Sequence, residues 1–255
     1  MTRALRAGDA VEVVVRDGVG WVTLARPATG NRLDAELLGA LADACVAVED
    51  DDRVRVVVLG ARGRVFSGGL PDGCAWPDPA WPDGIGAMAA VTKPVLGSIG
   101  GDAVGWGFAL ALACDVRIAA TTATFAFTDV ERGHPPGGGI TQRLTRMVGP
   151  ARALDLVLLG TPLPARRAAA WGVVAATVEP RRLDAAVEAT ARALASRAPL
   201  ALRLGKEAVV RALDLPLAEG IRLEQDLYVL LQTTADRREG ITAFRTRRAA
   251  RFRGR

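Results

Sequence analysis

Two short glycine-bracketed turns and a few ionisable side chains are the residues in this chain whose types and spacing can do chemistry. Gly68-Gly69 stands before Leu70, and Gly105-Trp106-Gly107 opens an apolar stretch. Glycine lets a backbone turn sharply, and the first N–H groups of a helix are unpaired and carry partial positive charge. Relief of crowding at two turns is the other reading of these glycines. The chain's single histidine, His134, sits in the run GHPPGGG. An imidazole can act as acid or base, with a structural or solvated place as the alternative. Among nearby acids, Asp129 reads as a loop acid able to cap the following turn. Glu131, beside Arg132, reads as a surface charge, and Asp102, ahead of the second glycine turn, can satisfy turn N–H groups.

Several other chemistries lack their residues. Cys45, Cys74 and Cys114 are far apart, odd in number and without metal-ligand spacing, so ordinary thiols and no metal site are expected. Gly105-x-Gly107 lacks the third glycine and downstream acid of a dinucleotide site, and no Gly-x-Ser-x-Gly elbow is present. The net charge of +5 gathers near the end, where Arg245, Arg247, Arg248, Arg251, Arg253 and Arg255 follow one another. A solvated tail is the first reading, with ligand phosphates or a neighbouring subunit as the alternative. No aromatic-interleaved basic motif accompanies the charge, so no nucleic-acid partner is expected. Arg26 and Lys206 are candidate phosphate contacts, with solvated side chains as the alternative.

The elements that must position these groups follow from periodicity. Residues 10 to 25 alternate apolar and polar around Asp17-Gly18, which predicts a β-hairpin. From Asp34 to Glu49, Leu37, Leu38, Leu41, Cys45 and Val48 recur at helical spacing, and Val54 to Leu59 reads as a strand covered on both faces. Strands are expected at Pro94 to Ile99, Val116 to Ala119 and Phe125 to Phe127, with a helix at Gly105 to Ala113. This order implies right-handed crossovers and a largely parallel sheet. The Pro- and Gly-rich stretch from Pro71 to Gly86 reads as an irregular lid or surface loop. Beyond it, helices are expected at 139–148, 150–160, 181–196, 199–213, 216–232 and 235–248, interrupted by an apolar run at 173–178.

With 255 residues, half of them hydrophobic, the chain can bury a substantial core. Every long apolar stretch is broken before the ~18 residues of a membrane span, and MTRALRAGDAVEVVV lacks an apolar signal core. A cytoplasmic protein with no membrane partner is expected.

Read in order, several segments resemble the enoyl-CoA hydratase/isomerase (crotonase) superfamily over almost the whole chain. They are TLARP with NRLDAELL, VRVVVLGARGRVFSGGL, KPVLGSIGGDAVGWGFALALACDVRIA, FAFTDVERGHPPGGGITQRLTRMVG and DRREGITAFRTRR. The resemblance implies an α/β crotonase (ClpP-like) spiral of ββα units over residues 1–195. A C-terminal helical trimerisation region would occupy 196–255, giving a homotrimer or a hexamer built as a dimer of trimers. It also implies an acyl-CoA thioester as the ligand, with coenzyme A entering as part of the substrate and no separate cofactor. By position, the backbone N–H groups of Leu70 and Trp106 would hold an enolate-like thioester oxygen, each contributing about 3 to 4 kcal/mol to the transition state. Gly68, Gly69, Gly105, Ala109, Arg26 and His134 complete the expected substrate-binding set.

The sequence also departs from the pattern of its relatives. Of the two carboxylates usual in hydratases, the first position holds Ala109 and the second holds Asp129 in place of Glu. Pro71 stands where the first loop usually has Asp, and Trp106 replaces a glycine, its indole favouring a small or flat acyl group. One carboxylate suffices to shift a double bond. The expectation is therefore an enoyl-CoA hydratase/isomerase-like enzyme with Asp129 as single acid/base. The alternatives are a hydrolase or decarboxylase of the same fold, or a non-catalytic acyl-CoA-binding protein.

Overall fold

The computed structural model describes residues 3–6, 9–74, 80–134 and 136–255. The chain opens with an antiparallel meander, β1 (Arg3–Arg6), β2 (Val11–Arg16) and β3 (Val19–Leu24). Asp17 and Gly18 both have positive φ (53° and 80°), the two-residue turn whose twist matches that of its strands. Asp34 then caps α1 (Ala35–Asp50), its side chain accepting from the Leu37 N–H at 2.8 Å. The expected stripe, Leu37, Leu38, Leu41, Cys45 and Val48, is the buried face.

From here each turn of the chain lays one strand into each of two sheets. β4 (Val56–Ala61), β6 (Val95–Ile99) and β8 (Val116–Ala120) join the long sheet, while β5 (Val65–Ser67), β7 (Asp102–Val104) and β9 (Thr124–Ala126) form a second. Helix α2 (Gly84–Ala90) follows the first pair and α3 (Trp106–Leu112) the second. After β9 come α4 (Ile140–Val148), α5 (Pro150–Leu158), β10 (Leu163–Pro164), α6 (Ala165–Ala170), β11 (Ala176–Val178) and α7 (Leu183–Ala195). The long sheet runs β1-β2-β3-β4-β6-β8-β11 and the short one β10-β9-β7-β5. This is the spiral of ββα units, and it refines the expectation of one parallel sheet into two. The strands of the second are two or three residues long, too short to show a period.

Strand β4 shows why its sequence is continuously apolar. Val57 and Leu59 belong to the main core, whereas Val56 and Val58 face a second cluster with Val19, Leu96, Ile118 and the α7 residues Leu183, Val187, Ala191 and Ala195. Two boundaries differ from expectation. β4 starts at Val56, because the Val54 N–H turns back to the Asp51 carbonyl. The stretch read as irregular ends in a helix at Gly84, whose start is capped by Asp83 through the Gly86 N–H at 2.7 Å; residues 75–79 of that stretch lie outside the described residues.

The last helices, α8 (Pro199–Arg211), α9 (Leu217–Gln232) and α10 (Ala235–Arg245), match the expected ones closely. The arginine side chains of the C-terminal end are exposed, as a solvated end requires, while its backbone folds back on α10. Buried Asp236 accepts from the Arg253 and Gly254 N–H groups at 2.7 and 2.8 Å, and Glu239 binds the Arg248 guanidinium and the Arg251 N–H. Among the described residues, no helix is long and apolar enough to cross a membrane, and no group of His, Cys, Asp and Glu is arranged to hold a metal ion.

Candidate active site

The two glycine turns meet because the strands that carry them are neighbours. β5 and β7 pair in parallel, so both chains emerge at the same end of the short sheet. The first turn is stitched to the segment that follows β3. Gly68 N–H donates to the Gly30 carbonyl, Leu33 N–H to the Gly69 carbonyl and Arg32 Nη1 to the Leu70 carbonyl, at 2.8, 2.8 and 2.6 Å. Buried Asn31 locks the base of the turn, its Nδ2 donating to the Arg62 and Val65 carbonyls at 2.9 Å each. In a trans peptide the N–H points opposite the carbonyl. Binding of the Gly69 carbonyl to Leu33 therefore turns the Leu70 N–H away from that segment, and it meets no acceptor among the described residues.

Helix geometry fixes the second turn. The Gly105 N–H donates to the Ala126 carbonyl at 2.9 Å, while its own carbonyl accepts from Phe108 and Ala109 along α3. The Trp106 amide therefore faces out from the helix start, where the dipole favours negative charge. A Cβ on Gly69 would lie 2.7 Å from the Val104 oxygen and 3.4 Å from the Trp106 nitrogen, so the two turns touch. Gly105, with φ of 54° and ψ of −120°, holds a conformation that L side chains avoid.

Asp129 completes the arrangement. It begins a short 3-10 turn, is 7% exposed, and its carboxylate lies over Gly105, where a Cβ would come within 2.8 Å of Oδ1 and 3.1 Å of Oδ2. Oδ2 has no hydrogen-bond partner among the described residues. Burial raises the Asp129 pKa above the ordinary carboxylate value, opposed by the charges of Arg132 and His134. The His134 N–H also donates to the Asp129 carbonyl at 2.9 Å, tying the loop to the turn.

On the other side the site is closed. Ala109 is fully buried under the triple-glycine loop: a Cβ on Gly138 would stand 2.9 Å from the Ala109 Cβ and 3.1 Å from Ile85 Cδ1. One on Gly137 would stand 2.5 Å from Trp106 Cζ2, so the indole is pressed against the same loop. Two N–H groups, one proton-accepting carboxylate and an apolar wall can stabilise an oxyanion and move a single proton beside it.

Gly68, Gly69, Leu70, Gly105, Trp106, Ala109 and Asp129 lie around the two glycine turns, and His134 joins them through its main-chain N–H. Others are engaged elsewhere. Arg26 is half-buried and pairs with Asp34 at 2.6 Å and with Glu36. Lys206 is a tie between α8 and the core, bound to Asp115 and the Val91 carbonyl at 2.7 Å each. Asp102 accepts from the Thr124 N–H of β9 at 3.0 Å rather than from its own turn. Glu131 is exposed, with its carboxylate above Gly160. Asn31 and Arg32 escaped the sequence reading as site residues, although both stand in the NRLD run that carried part of the resemblance.

The enoyl-CoA hydratase/isomerase family model matches residues 15–255. A probable enoyl-CoA hydratase of Rhizobium meliloti is 38% identical over 244 residues, 93% of this chain and 95% of that protein. The (E)-benzylidenesuccinyl-CoA hydratase of Thauera aromatica is also 38% identical, over 96% of this chain and 99% of its own length. Among solved structures, an enoyl-CoA hydratase subunit of Geobacillus kaustophilus superposes with a TM-score of 0.91 at 37% identity, covering 96% of this chain and 98% of that one.

Proposed function

This chain belongs to the enoyl-CoA hydratase/isomerase family, and within it we propose an acyl-CoA enzyme that moves a proton beside the thioester carbonyl with Asp129 as its single acid/base. The observation that carries this reading is the pairing of a buried Asp129 Oδ2, without a partner among the described residues and next to the second glycine turn, with a sealed alanine at position 109. Such a site suits double-bond migration. Asp129 takes a proton from C2 of a 3-enoyl thioester, and the electron pair moves onto the thioester oxygen, held by the Leu70 and Trp106 N–H groups. The enolate then collapses, and C4 takes the proton back from Asp129, leaving the double bond at C2–C3. Burial serves the first half, since a carboxylate with a raised pKa is the stronger base for taking the C2 proton, and the enolate is basic enough to draw it back. No electron acceptor enters this balance, and coenzyme A belongs to the substrate.

Hydration is the second reading, supported by the hydratase names of relatives at 38% identity. Asp129 would then have to activate water alone. Recording the conjugated enoyl absorbance separates the two: gain with a 3-enoyl-CoA marks isomerisation, and loss with crotonyl-CoA marks hydration. Release of free thiol would instead mark hydrolysis, and silence in all three assays despite saturable binding would leave only a binding protein.

The enzyme is read as a homotrimer or a dimer of trimers assembled through α8–α10. In support, Val209, Leu217 and Phe244 are 73%, 81% and 85% exposed in the single chain. Light scattering tests this. Cys45 and Cys114 are buried free thiols pushed up to about 12 by burial, inert groups that suit a reducing, cytoplasmic setting.

A further inference from the structure

Arg143 lies in the first turn of α4, half-buried, and its Nη1 donates to the Gly138 carbonyl at 2.8 Å. Gly138 is the residue that covers Ala109 and Ile85, and its neighbour Gly137 covers the indole of Trp106. Among the described residues no carboxylate lies within 4 Å of the Arg143 guanidinium, and Asp83, the cap of α2, acts on it only from longer range. A cation in the first turn of a helix opposes the positive end of the dipole, and burial strips part of its hydration. Stability alone would favour an acidic or neutral side chain there. What Arg143 gains is a hold on one loop carbonyl.

We infer that Arg143 is a positioning residue that holds the triple-glycine loop down on Trp106 and Ala109 and so sets the depth of the acyl pocket, selecting short or flat acyl groups. This inference rests on the reading of Leu70 and Trp106 as the thioester site. Releasing the Gly138 carbonyl lets the loop rise and opens space beyond the indole for a longer chain.

The test is calorimetric binding of acetyl-, butyryl-, hexanoyl- and decanoyl-CoA to the wild-type protein and to R143M and R143K, with melting temperatures recorded alongside. Wild type should prefer butyryl- over decanoyl-CoA by about tenfold or more. R143M should abolish that preference, and R143K, which keeps a donor, should restore part of it. A merely structural role would weaken all four ligands by one common factor; an unchanged ratio in R143M overturns the inference and leaves the thioester site standing. Failure of the wild-type protein to bind any of the four overturns both. Should R143M not fold, Gly138→Ala carries the test, because the added methyl would push the loop off Ala109 with Arg143 intact; loss of the short-chain preference supports the inference and its retention overturns it.

Discussion

The spiral up to Ala195 and the three helices after it use the same apolar patterning to opposite ends. In the spiral, both faces of β4 and the whole stripe of α1 find partners within the chain. In α8 no residue is buried and in α9 only Leu227 is, although both helices carry leucine and valine at helical spacing. What fastens this second region is polar instead: Lys206 on Asp115, Arg55 on the Ala195 and Phe252 carbonyls, and Asp236 on the returning C-terminus. Groups able to do chemistry gather in the spiral, and the exposed apolar residues Val209, Leu217 and Phe244 lie in the other region.

Substitutions can break this division of labour. Asp129→Asn should cost the most, lowering turnover by roughly 10²- to 10⁴-fold, the usual worth of a general acid/base, while molar mass by light scattering stays the same. Gly105→Ala comes next. Its methyl would meet Asp129 Oδ1 at 2.8 Å and strain a positive φ, displacing the Trp106 amide; a fall of about 10²- to 10³-fold in kcat is expected from one lost oxyanion donor. Phe244→Asp should act in the other region alone, lowering the molar mass while the isolated chain keeps its fold by circular dichroism. An unchanged mass would remove Phe244 from any subunit contact.

The smallest effect is one of pH. The native state holds the Asp129 proton longer than the unfolded chain does, because burial raises its pKa. Stability contributed by this group is therefore full below the ordinary carboxylate range and is lost as pH rises through the raised value. Asp129→Asn should erase that slope, so its melting temperature should match or exceed that of wild type at neutral pH. Parallel curves of melting temperature against pH for the two proteins would refute the assignment.

Local signals carried much of this protein. Asp17-Gly18 determines its hairpin by itself, the i, i+3, i+4 leucines determine α1, and a β-branched run announces β4, since each rests on residues within one turn or strand of each other. The ordered glycine motifs likewise identified the family and both glycine turns. The short strands β7 and β10 and the helix α6 stayed hidden, because two to six residues show no period and form only against strands brought from elsewhere. Tertiary structure alone placed Gly138 over Ala109, Asn31 under the first turn, Arg143 on the loop carbonyl, and Arg26 and Lys206 in ion pairs. All of these depend on where a charge or a methyl comes to rest in space, and residue type and spacing along the chain do not specify that.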